Sequence, residues 1–148
     1  YIREARRSIW DLHAQPGHRN LIESLRRAGE FATDGRDIAF TFEVQGTPVQ
    51  CPPRIEEQAV RIAQEASLNS VRHASPRALR IALTYDDSAL TLIVADDGTG
   101  FDAGQTREAG HYGLTSMQER ARSVGGALTL MTAPGRGTEV TAVLPIAR

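Results

Sequence analysis

Residues 79–101 read LRIALTYDDSALTLIVADDGTGF, and this stretch decides the fold. Its two apolar runs, 79–85 and 90–95, have the length and composition of β-strands. The polar turn between them, Asp86-Asp87-Ser88, is so short that it favours an antiparallel hairpin. Directly after the second run comes DDGTG, in which a carboxylate at the end of a strand precedes two glycines. The stretch therefore predicts a hairpin that ends in a polar, closely approachable loop.

Upstream of the hairpin lies the longest helical pattern, residues 54–74, introduced by Pro52-Pro53. Its apolar residues predict two buried strips, Ile55, Ala59, Ile62 and Ala66 on one side and Val60, Ala63, Val71 and Ala74 on the opposite side. Glu65, Asn69 and His73 project from one side at i, i+4 and i+8. Polar groups inside such packing need partners, which a bound ligand or hydrated cation supplies. Alternatively, they form a frayed helix end that reaches water.

Two further helices are predicted near the start of the chain. The first covers residues 1–13 and shows no capping residue, which predicts that it begins upstream in a longer protein. The run Gln15-Pro16-Gly17-His18 breaks it. Asn20, with Glu23 three residues later, resembles a capping box for a second, short helix that we expect to stop at Gly29.

The rest of the chain alternates between strand and helix patterns. Residues 38–44 alternate apolar and polar side chains, as a half-buried strand does. A glycine-rich stretch, 98–113, precedes a helix over 114–124, and two strands flank Pro134-Gly135-Arg136-Gly137. Mixed helices and strands with hairpin-length turns favour antiparallel pairing over repeated parallel crossovers. The sequence therefore predicts an α+β layer fold.

Composition narrows the function. The chain has 148 residues, about one domain, and its 17 basic and 18 acidic residues leave a net charge of −1. That balance excludes a nucleic-acid binder that depends on excess positive charge. One cysteine, Cys51, excludes an internal disulfide. No signal peptide is visible, and no apolar run approaches the roughly 20 residues of a membrane span. We expect a soluble piece of a longer protein.

Two glycine-containing motifs follow the strand-end aspartates. Gly110-His111-Tyr112-Gly113-Leu114 stands where the glycine-rich stretch becomes a helix, and backbone N–H groups at the start of a helix attract phosphate. Gly135-Arg136-Gly137-Thr138 is typical of a hairpin turn with a bulge. DDGTG, taken alone, is typical of an ordinary turn after a strand. P-loop and Rossmann glycine motifs are absent from the sequence.

In this order, the motifs resemble the nucleotide-binding domain of sensor histidine kinases, in the GHKL ATPase superfamily that also contains gyrase, Hsp90 and MutL. EASLNSVRHA (65–74) resembles the N box of that family, and DDGTGF (96–101) resembles its first glycine box. GHYGLTSMQERA (110–121) resembles the second glycine box, and GRGTEV (135–140) resembles the last one. The second box and EARRSIWDLH at the start are most similar to the subfamily that pairs with NarL-type response regulators, such as nitrate sensors and DesK-like kinases.

The resemblance implies a Bergerat fold, a two-layer α/β sandwich with a mixed, mostly antiparallel sheet under helices. ATP would lie between the N-box helix and a lid over residues 102–112. Residues 1–15 would be the end of the second dimerisation helix, residues 16–19 a linker, and residues 20–148 the catalytic ATP-binding domain.

The resemblance also implies a set of site residues. Asn69 would ligate Mg²⁺, which bridges the phosphates, and Glu65 would lie beside the metal and polarise a water or a metal-bound ligand. Asp96 would accept a hydrogen bond from the adenine N6 amino group, which selects adenine over guanine. The other ATP-binding residues would face the phosphates, allow close approach of the backbone, or lie near the adenine: Arg72, His73, Gly98, Gly100, Gly110, His111, Tyr112, Gly113, Leu114 and Thr138.

The motif Asp11-Leu12-His13 superficially resembles the phosphoacceptor site of these kinases. Ala14 follows it, however, and Pro16-Gly17 ends the helix almost at once. We therefore expect the phosphoacceptor histidine to lie outside this chain, in a dimerisation hairpin, and the chain to bind ATP and Mg²⁺ without autophosphorylating. The resemblance implies later transfer of the phosphoryl group to a NarL-type response regulator. The piece would be monomeric and its parent protein a homodimer.

The resemblance implies a cytoplasmic domain and leaves open whether the parent protein is anchored in the inner membrane. Three alternatives remain at this point. The chain is a degenerate module that relays conformational change without catalysis, a serine kinase of the anti-sigma-factor type, or a stand-alone ATP hydrolase. Steady phosphate release would distinguish the hydrolase, and the helix that precedes the domain argues against the serine kinase.

Overall fold

The computed structural model describes the backbone of residues 18–99 and 111–146 and the side chains of residues 21–99 and 114–146. Helices and strands are mixed along this part of the chain, which confirms the predicted α+β class. In chain order the elements are α1 His18–Thr33, β1 Ala39–Gln45, α2 Pro53–His73, β2 Ala78–Tyr85, β3 Ala89–Asp96, α3 His111–Ser123, β4 Ala127–Thr132 and β5 Thr138–Pro145.

The strands form one mixed sheet in the order β1-β2-β3-β5-β4. The pairs β2–β3 and β4–β5 are antiparallel, as their short turns predict, and the pair β3–β5 is antiparallel as well. The pair β1–β2 is parallel, with Ala39 opposite Ala78 at one end and Gln45 opposite Thr84 at the other. Helix α2 connects these two strands, and parallel neighbours require a long crossover of this kind. The expected mixed, mostly antiparallel sheet is therefore confirmed.

The core lies between the helices and one face of the sheet. Strands β2, β3 and β5 turn alternate side chains toward the helices: Leu79, Ile81, Leu83 and Tyr85, then Leu90, Leu92 and Val94, then Val140, Ala142 and Leu144. Helix α2 is in contact with α1, with α3 and with the three central strands. Both apolar strips predicted on α2 are accordingly covered, and only Val60 among their members is half-buried rather than buried.

Helix α1 differs from the prediction at both ends. It begins at His18, so Asn20 lies inside the helix and the predicted capping box is wrong. It also continues through Gly29 to Thr33, so the prediction that Gly29 ends the helix is wrong as well. A Cβ at position 29 would meet the ring of Phe40, which explains a glycine there without any break in the helix. The glycine allows α1 to pack closely on β1.

Several predictions fall on residues that the structure does not describe. The helix over residues 1–13, with His13, lies outside the described residues, as do the first two residues of the linker 16–19 and most of the predicted lid. Helix α3 begins at His111, three residues before the predicted start at Leu114. Residues 111–114 of the expected phosphate-binding motif therefore form the first turn of α3, and Gly110 lies outside the described residues.

Candidate active site

Strand β3 ends at Asp96, whose half-buried carboxylate is the first element of the site. Its Oδ1 accepts a hydrogen bond from the backbone N–H of Gly98 at 2.8 Å, which turns the chain sharply away from the strand. A carboxylate has about four lone-pair positions. This turn uses one of them, so Asp96 retains capacity to accept a hydrogen bond from an amino group.

The loop after Asp96 is docked on the carboxyl end of α2. The N–H of Thr99 donates to the carbonyl oxygen of Ala74 at 2.8 Å. A Cβ at position 98 would meet the same carbonyl oxygen, so only glycine fits there. The sequence predicts that Gly98 allows close approach of a ligand. In the structure, the group that lies close to Gly98 is the carboxyl end of α2. The contact brings Asp96 and the last turns of α2 to one place.

The neighbouring Asp97 has a different task. Its side chain is exposed, and its Oδ1 accepts the backbone N–H groups of Arg77 at 2.8 Å and Ala78 at 2.9 Å. The hydrogen bond from Ala78, and then that from Arg77, holds the pKa of Asp97 below its usual value. Asp97 thus fixes the loop to the start of β2, and Asp96 alone is left facing the site.

The first residue of β5, Thr138, lies directly opposite Asp96 in the β3–β5 register. Its Oγ1 lies 2.9 Å from Oγ1 of Thr132 on β4, so the two hydroxyls share a hydrogen bond. Gly137 has a φ of 79°, and a Cβ there would meet the carbonyl oxygen of Asp96. The glycine therefore lets β5 close against the end of β3.

A pocket of about 350 Å³ lies at this end of the sheet. Its lining residues all lie on β3, β4, β5 and the hairpin between the last two strands, and they include Asp96, Thr132, Arg136 and Thr138. The backbone N–H of Gly135 also donates to the carbonyl oxygen of Thr99, which joins the loop after β3 to the hairpin between β4 and β5. Two motifs that are far apart in sequence, DDGTG and GRGT, therefore form one wall.

Glu65 on α2 has partners that sequence reasoning did not find. Its Oε1 accepts hydrogen bonds from Nε of Arg120 at 2.9 Å and from Oγ of Ser116 at 3.2 Å, both on α3. Nη1 of Arg120 also donates to Oε1 of Gln58 at 3.4 Å. The signal available in the sequence was the i, i+4 spacing of Ser116 and Arg120 on one face of the predicted helix.

The other predicted residues of α2 lie in its last two turns. Asn69 is half-buried, and Arg72 and His73 are exposed. Positively charged groups in the last turn favour the helix end, where the carbonyl groups are unpaired. The described contacts neither join these side chains to Asp96 nor exclude a ligand that bridges them, so their assignment to phosphates and metal stays a prediction.

The donor set suits Mg²⁺ better than a metal held wholly by protein. Across the two described stretches, 18–99 and 111–146, no three His, Cys, Asp or Glu side chains come together to hold a metal. Mg²⁺ usually takes one or two protein oxygen ligands and completes its shell with phosphates and water. An amide at Asn69 with a carboxylate one turn away, at Glu65, fits that pattern.

The remaining predicted residues belong to the second glycine box and its approach. Gly100 and Gly110 lie outside the described residues. His111, Tyr112 and Gly113 form the first turn of α3, and their side chains are not described. Leu114, the next residue of α3, is half-buried. No helix within the described ranges has the length and apolar character to cross a bilayer.

Comparison with known proteins decides the family. Residues 54–148 match the sequence profile of the "Histidine kinase-, DNA gyrase B-, and HSP90-like ATPase" family. The chain belongs to this family. The matched residues include all of α2 after its first residue, the DDGTG loop, α3 and both strands of the last hairpin. These elements of the histidine kinase-like ATPase domain form the site described above.

Sensor kinases are among the relatives of this histidine kinase-like ATPase domain. It is 29% identical to the histidine-protein kinase/phosphatase DegS of Brevibacillus brevis over 98% of this chain and 38% of that protein. It is 35% identical to the sensor histidine kinase LiaS of Bacillus subtilis over 91% of this chain and 38% of that protein. The chain thus spans less than half the length of these relatives.

The fold of this histidine kinase-like ATPase domain also occurs in a solved structure. The histidine kinase domain of a blue-light activated histidine kinase from Erythrobacter litoralis superposes with a TM-score of 0.69 at 21% sequence identity. The match covers 88% of this chain and 65% of that one. At that identity the likeness supports the fold alone.

Proposed function

We propose that this chain is the ATP-binding catalytic domain of a two-component sensor histidine kinase. It binds ATP with Mg²⁺ and donates the γ-phosphate to a histidine outside these 148 residues, from which a NarL-type response regulator receives it. The observation that carries this proposal is the docking of the DDGTG loop on α2, where Thr99 donates to the carbonyl oxygen of Ala74. That contact brings the loop after Asp96, to which we assign adenine recognition, onto the end of the helix that bears Glu65 and Asn69.

Adenine recognition falls to Asp96. One lone pair of its Oδ1 is held by the N–H of Gly98, so the carboxylate has a set orientation when a base arrives. An amino group at the purine 6 position donates to it, whereas the carbonyl of guanine at that position repels it. Thr138, opposite Asp96 in the register, supplies a hydroxyl on the same side. Discrimination between ATP and GTP therefore rests on one carboxylate.

Phosphate binding falls to two helix ends. Asn69, with Glu65 beside it, would hold Mg²⁺ by hard oxygen ligands, and the metal when bound supplies positive charge that neutralises the phosphates. Arg72 adds positive charge at the carboxyl end of α2, and the imidazole of His73 lies beside it in the last turn. Backbone N–H groups in the first turn of a helix such as α3 suit a phosphate oxygen. These groups position ATP and stabilise charge, and phosphoryl transfer needs little else from the protein.

The relatives support the kinase assignment over its alternatives. DegS and LiaS are both named as histidine kinases, and the match to DegS extends over 98% of this chain. We propose that residues 1–15 end a dimerisation helix, that residues 16–19 link it to the domain, and that the parent protein is a homodimer. A relay module without catalysis would keep the fold but not bind ATP with Mg²⁺.

Calorimetric titration with ATP and Mg²⁺ tests the proposal, with GTP as the comparison ligand. We expect saturable ATP binding, weak GTP binding, and a loss of about tenfold or more in ATP affinity in Asp96→Asn. Asp87→Asn is the matched control, because Asp87 is an exposed carboxylate in the turn at the opposite end of β3. Unchanged ATP affinity in Asp96→Asn would contradict the assignment of adenine recognition.

A second pair of variants tests the metal ligand. Asn69→Ala should weaken ATP binding in the presence of Mg²⁺ and have little effect when Mg²⁺ is removed by a chelator. Gln64→Ala changes an exposed amide on the same helix and should behave as the unmodified chain in both conditions. Equal losses with and without Mg²⁺ would show that Asn69 acts on the nucleotide or on folding rather than through the metal.

A further inference from the structure

A partly buried cluster joins α3 to the carboxylate of Glu65. Nε of Arg120 and Oγ of Ser116 both donate to the same oxygen, Oε1. The Arg120 and Glu65 side chains are only 30% and 28% exposed, so water screens this ion pair less than a surface pair. The described contacts of Oε1 thus come from two residues of a neighbouring helix, one turn apart.

Arg120 is itself restrained. Its Nη1 donates to Oε1 of Gln58, which lies on α2 two turns before Glu65. On the adjacent face of α3, Met117 and Ala121 are buried in the core, which restrains rotation of the helix about its axis. The planar guanidinium is therefore held between two acceptors of α2, and its position determines where Glu65 points.

Hydrolysis of ATP would require a base that accepts the proton of the attacking water. Glu65 is the carboxylate that would serve as this base, and the cluster restrains it. A water oxygen forms a bond to the γ-phosphorus, the bond from that phosphorus to the oxygen bridging to the β-phosphate breaks, and a base accepts the water proton. The products are ADP and inorganic phosphate. Because both hydrogen bonds of the cluster to Glu65 fall on Oε1, they leave the lone pairs of Oε2 unused. What the cluster restrains is the orientation of the carboxylate, and with it the direction from which Oε2 can accept the water proton.

We propose that Arg120, assisted by Ser116, is a positioning residue that withholds Glu65 from the attacking water and so favours transfer of the γ-phosphate to a side chain over transfer to water. This inference rests on the proposed function, in which Glu65 lies beside the phosphates. It assigns Arg120 to selection between two acceptors of the phosphoryl group, and not to the binding of ATP.

The experiment measures phosphate release and ATP affinity side by side on this chain. Arg120→Gln should raise kcat for phosphate release by about three- to tenfold, with KM and the ATP dissociation constant within about twofold of the unmodified chain. Arg120→Lys keeps one charged donor but loses the planar guanidinium. Its kcat for phosphate release should lie between those of the unmodified chain and Arg120→Gln. Arg122→Gln removes the same charge from an exposed position of α3 and should match the unmodified chain.

A double variant distinguishes action through Glu65 from a general loosening of the fold. Glu65→Gln combined with Arg120→Gln should abolish the rise, because the amide cannot accept the proton. The inference is overturned if Arg120→Gln binds ATP but releases phosphate at the unmodified rate or more slowly, or if the double variant keeps the rise. If the unmodified chain binds no ATP, the proposed function fails and this inference fails with it, which is a different result from bound ATP without a change in rate.

Discussion

Gly98 lies against the carbonyl oxygen of Ala74, and no side chain fits between them. Because Thr99 donates to the same carbonyl oxygen, the contact holds the loop after β3 on the end of α2. The residue before Gly98 is fixed as well, since Asp97 accepts two N–H groups at the start of β2. The site thus depends on a close backbone contact as much as on its charged side chains.

We predict that Gly98→Ala weakens ATP binding and lowers the free energy of unfolding by about 1–3 kcal/mol, because the new methyl group forces the loop away from α2. Urea unfolding and ATP titration measure the two effects. Gly35→Ala is the control, since Gly35 has a φ of 72° but no atom within 4 Å of an added Cβ. Gly35→Ala should lower the free energy of unfolding by about 1 kcal/mol through backbone strain and leave ATP binding unchanged.

Gly29 gives a second prediction about close packing. In an exposed helix, Gly→Ala would stabilise by about 1 kcal/mol. Here the added methyl group meets the Phe40 ring, so we expect Gly29→Ala to lower the free energy of unfolding by about 1–3 kcal/mol, as in an overpacked core. Thermal unfolding of Gly29→Ala measures this, and combining it with Phe40→Leu should recover part of the loss. A stabilised Gly29→Ala would contradict the close contact of α1 with β1.

Glu56 predicts a pH dependence of stability. Burial raises the pKa of Glu56 from 4.5 to about 7, against a smaller opposing effect of the Cys51 backbone hydrogen bond. The folded chain thus binds this proton more tightly than the unfolded chain. The contribution of Glu56 to stability is complete below pH 4.5 and is lost as the pH rises through about 7. The urea concentration at the unfolding midpoint should therefore decrease as the pH is raised from about 5 to about 8.

Two neighbouring variants test whether Glu56 causes this dependence. Glu56→Gln should make the urea midpoint nearly independent of pH over the same interval, because the amide does not titrate. Glu57→Gln changes the adjacent glutamate, which is exposed and has its Oε2 3.8 Å from Nε of Arg61. This variant should retain the decrease of the urea midpoint with pH. A Glu56→Gln chain with the full slope would assign the dependence to another group.

Cys51 should be unreactive in the folded chain. Burial, and then the nearby charge of Glu56, raises the pKa of its thiol from 9.0 to about 11, and its Sγ donates to the carbonyl oxygen of Val49 at 3.6 Å. Because the thiolate is the nucleophile, alkylation by iodoacetamide should be about a hundredfold slower in the folded chain than in urea. Mass spectrometry follows the reaction, and equal rates in the two conditions would refute the prediction.

The sequence predicted β1 from its alternation of apolar and polar residues, and β2 and β3 from short apolar runs on either side of a polar turn. It did not predict the parallel pairing of β1 with β2, since no short turn joins them and α2 intervenes. The end of α1 was misplaced because Gly29 has the composition of a helix stop, and only the position of Phe40 explains it. Local patterns therefore describe elements, whereas contacts across elements decide these two features.

The site divides in the same way. Asp96 and Gly98 could be singled out from their place after an apolar strand. The attachment of Glu65 to Arg120 could not, because 55 residues separate them and nothing in either helix alone specifies the other. The docking of Gly135 on Thr99 likewise depends on how the last hairpin folds back on the sheet.

The order of the strands has a consequence for synthesis on the ribosome. Strand β5 is the last strand of the sheet to be translated, yet it lies inside the sheet, between β3 and β4. Until residues 138–145 have left the exit tunnel, β3 presents an unpaired edge and Asp96 has no Thr138 opposite it. A nascent chain therefore cannot complete the nucleotide pocket that we propose before this strand emerges, and we expect folding of the domain to follow translation of its final hairpin.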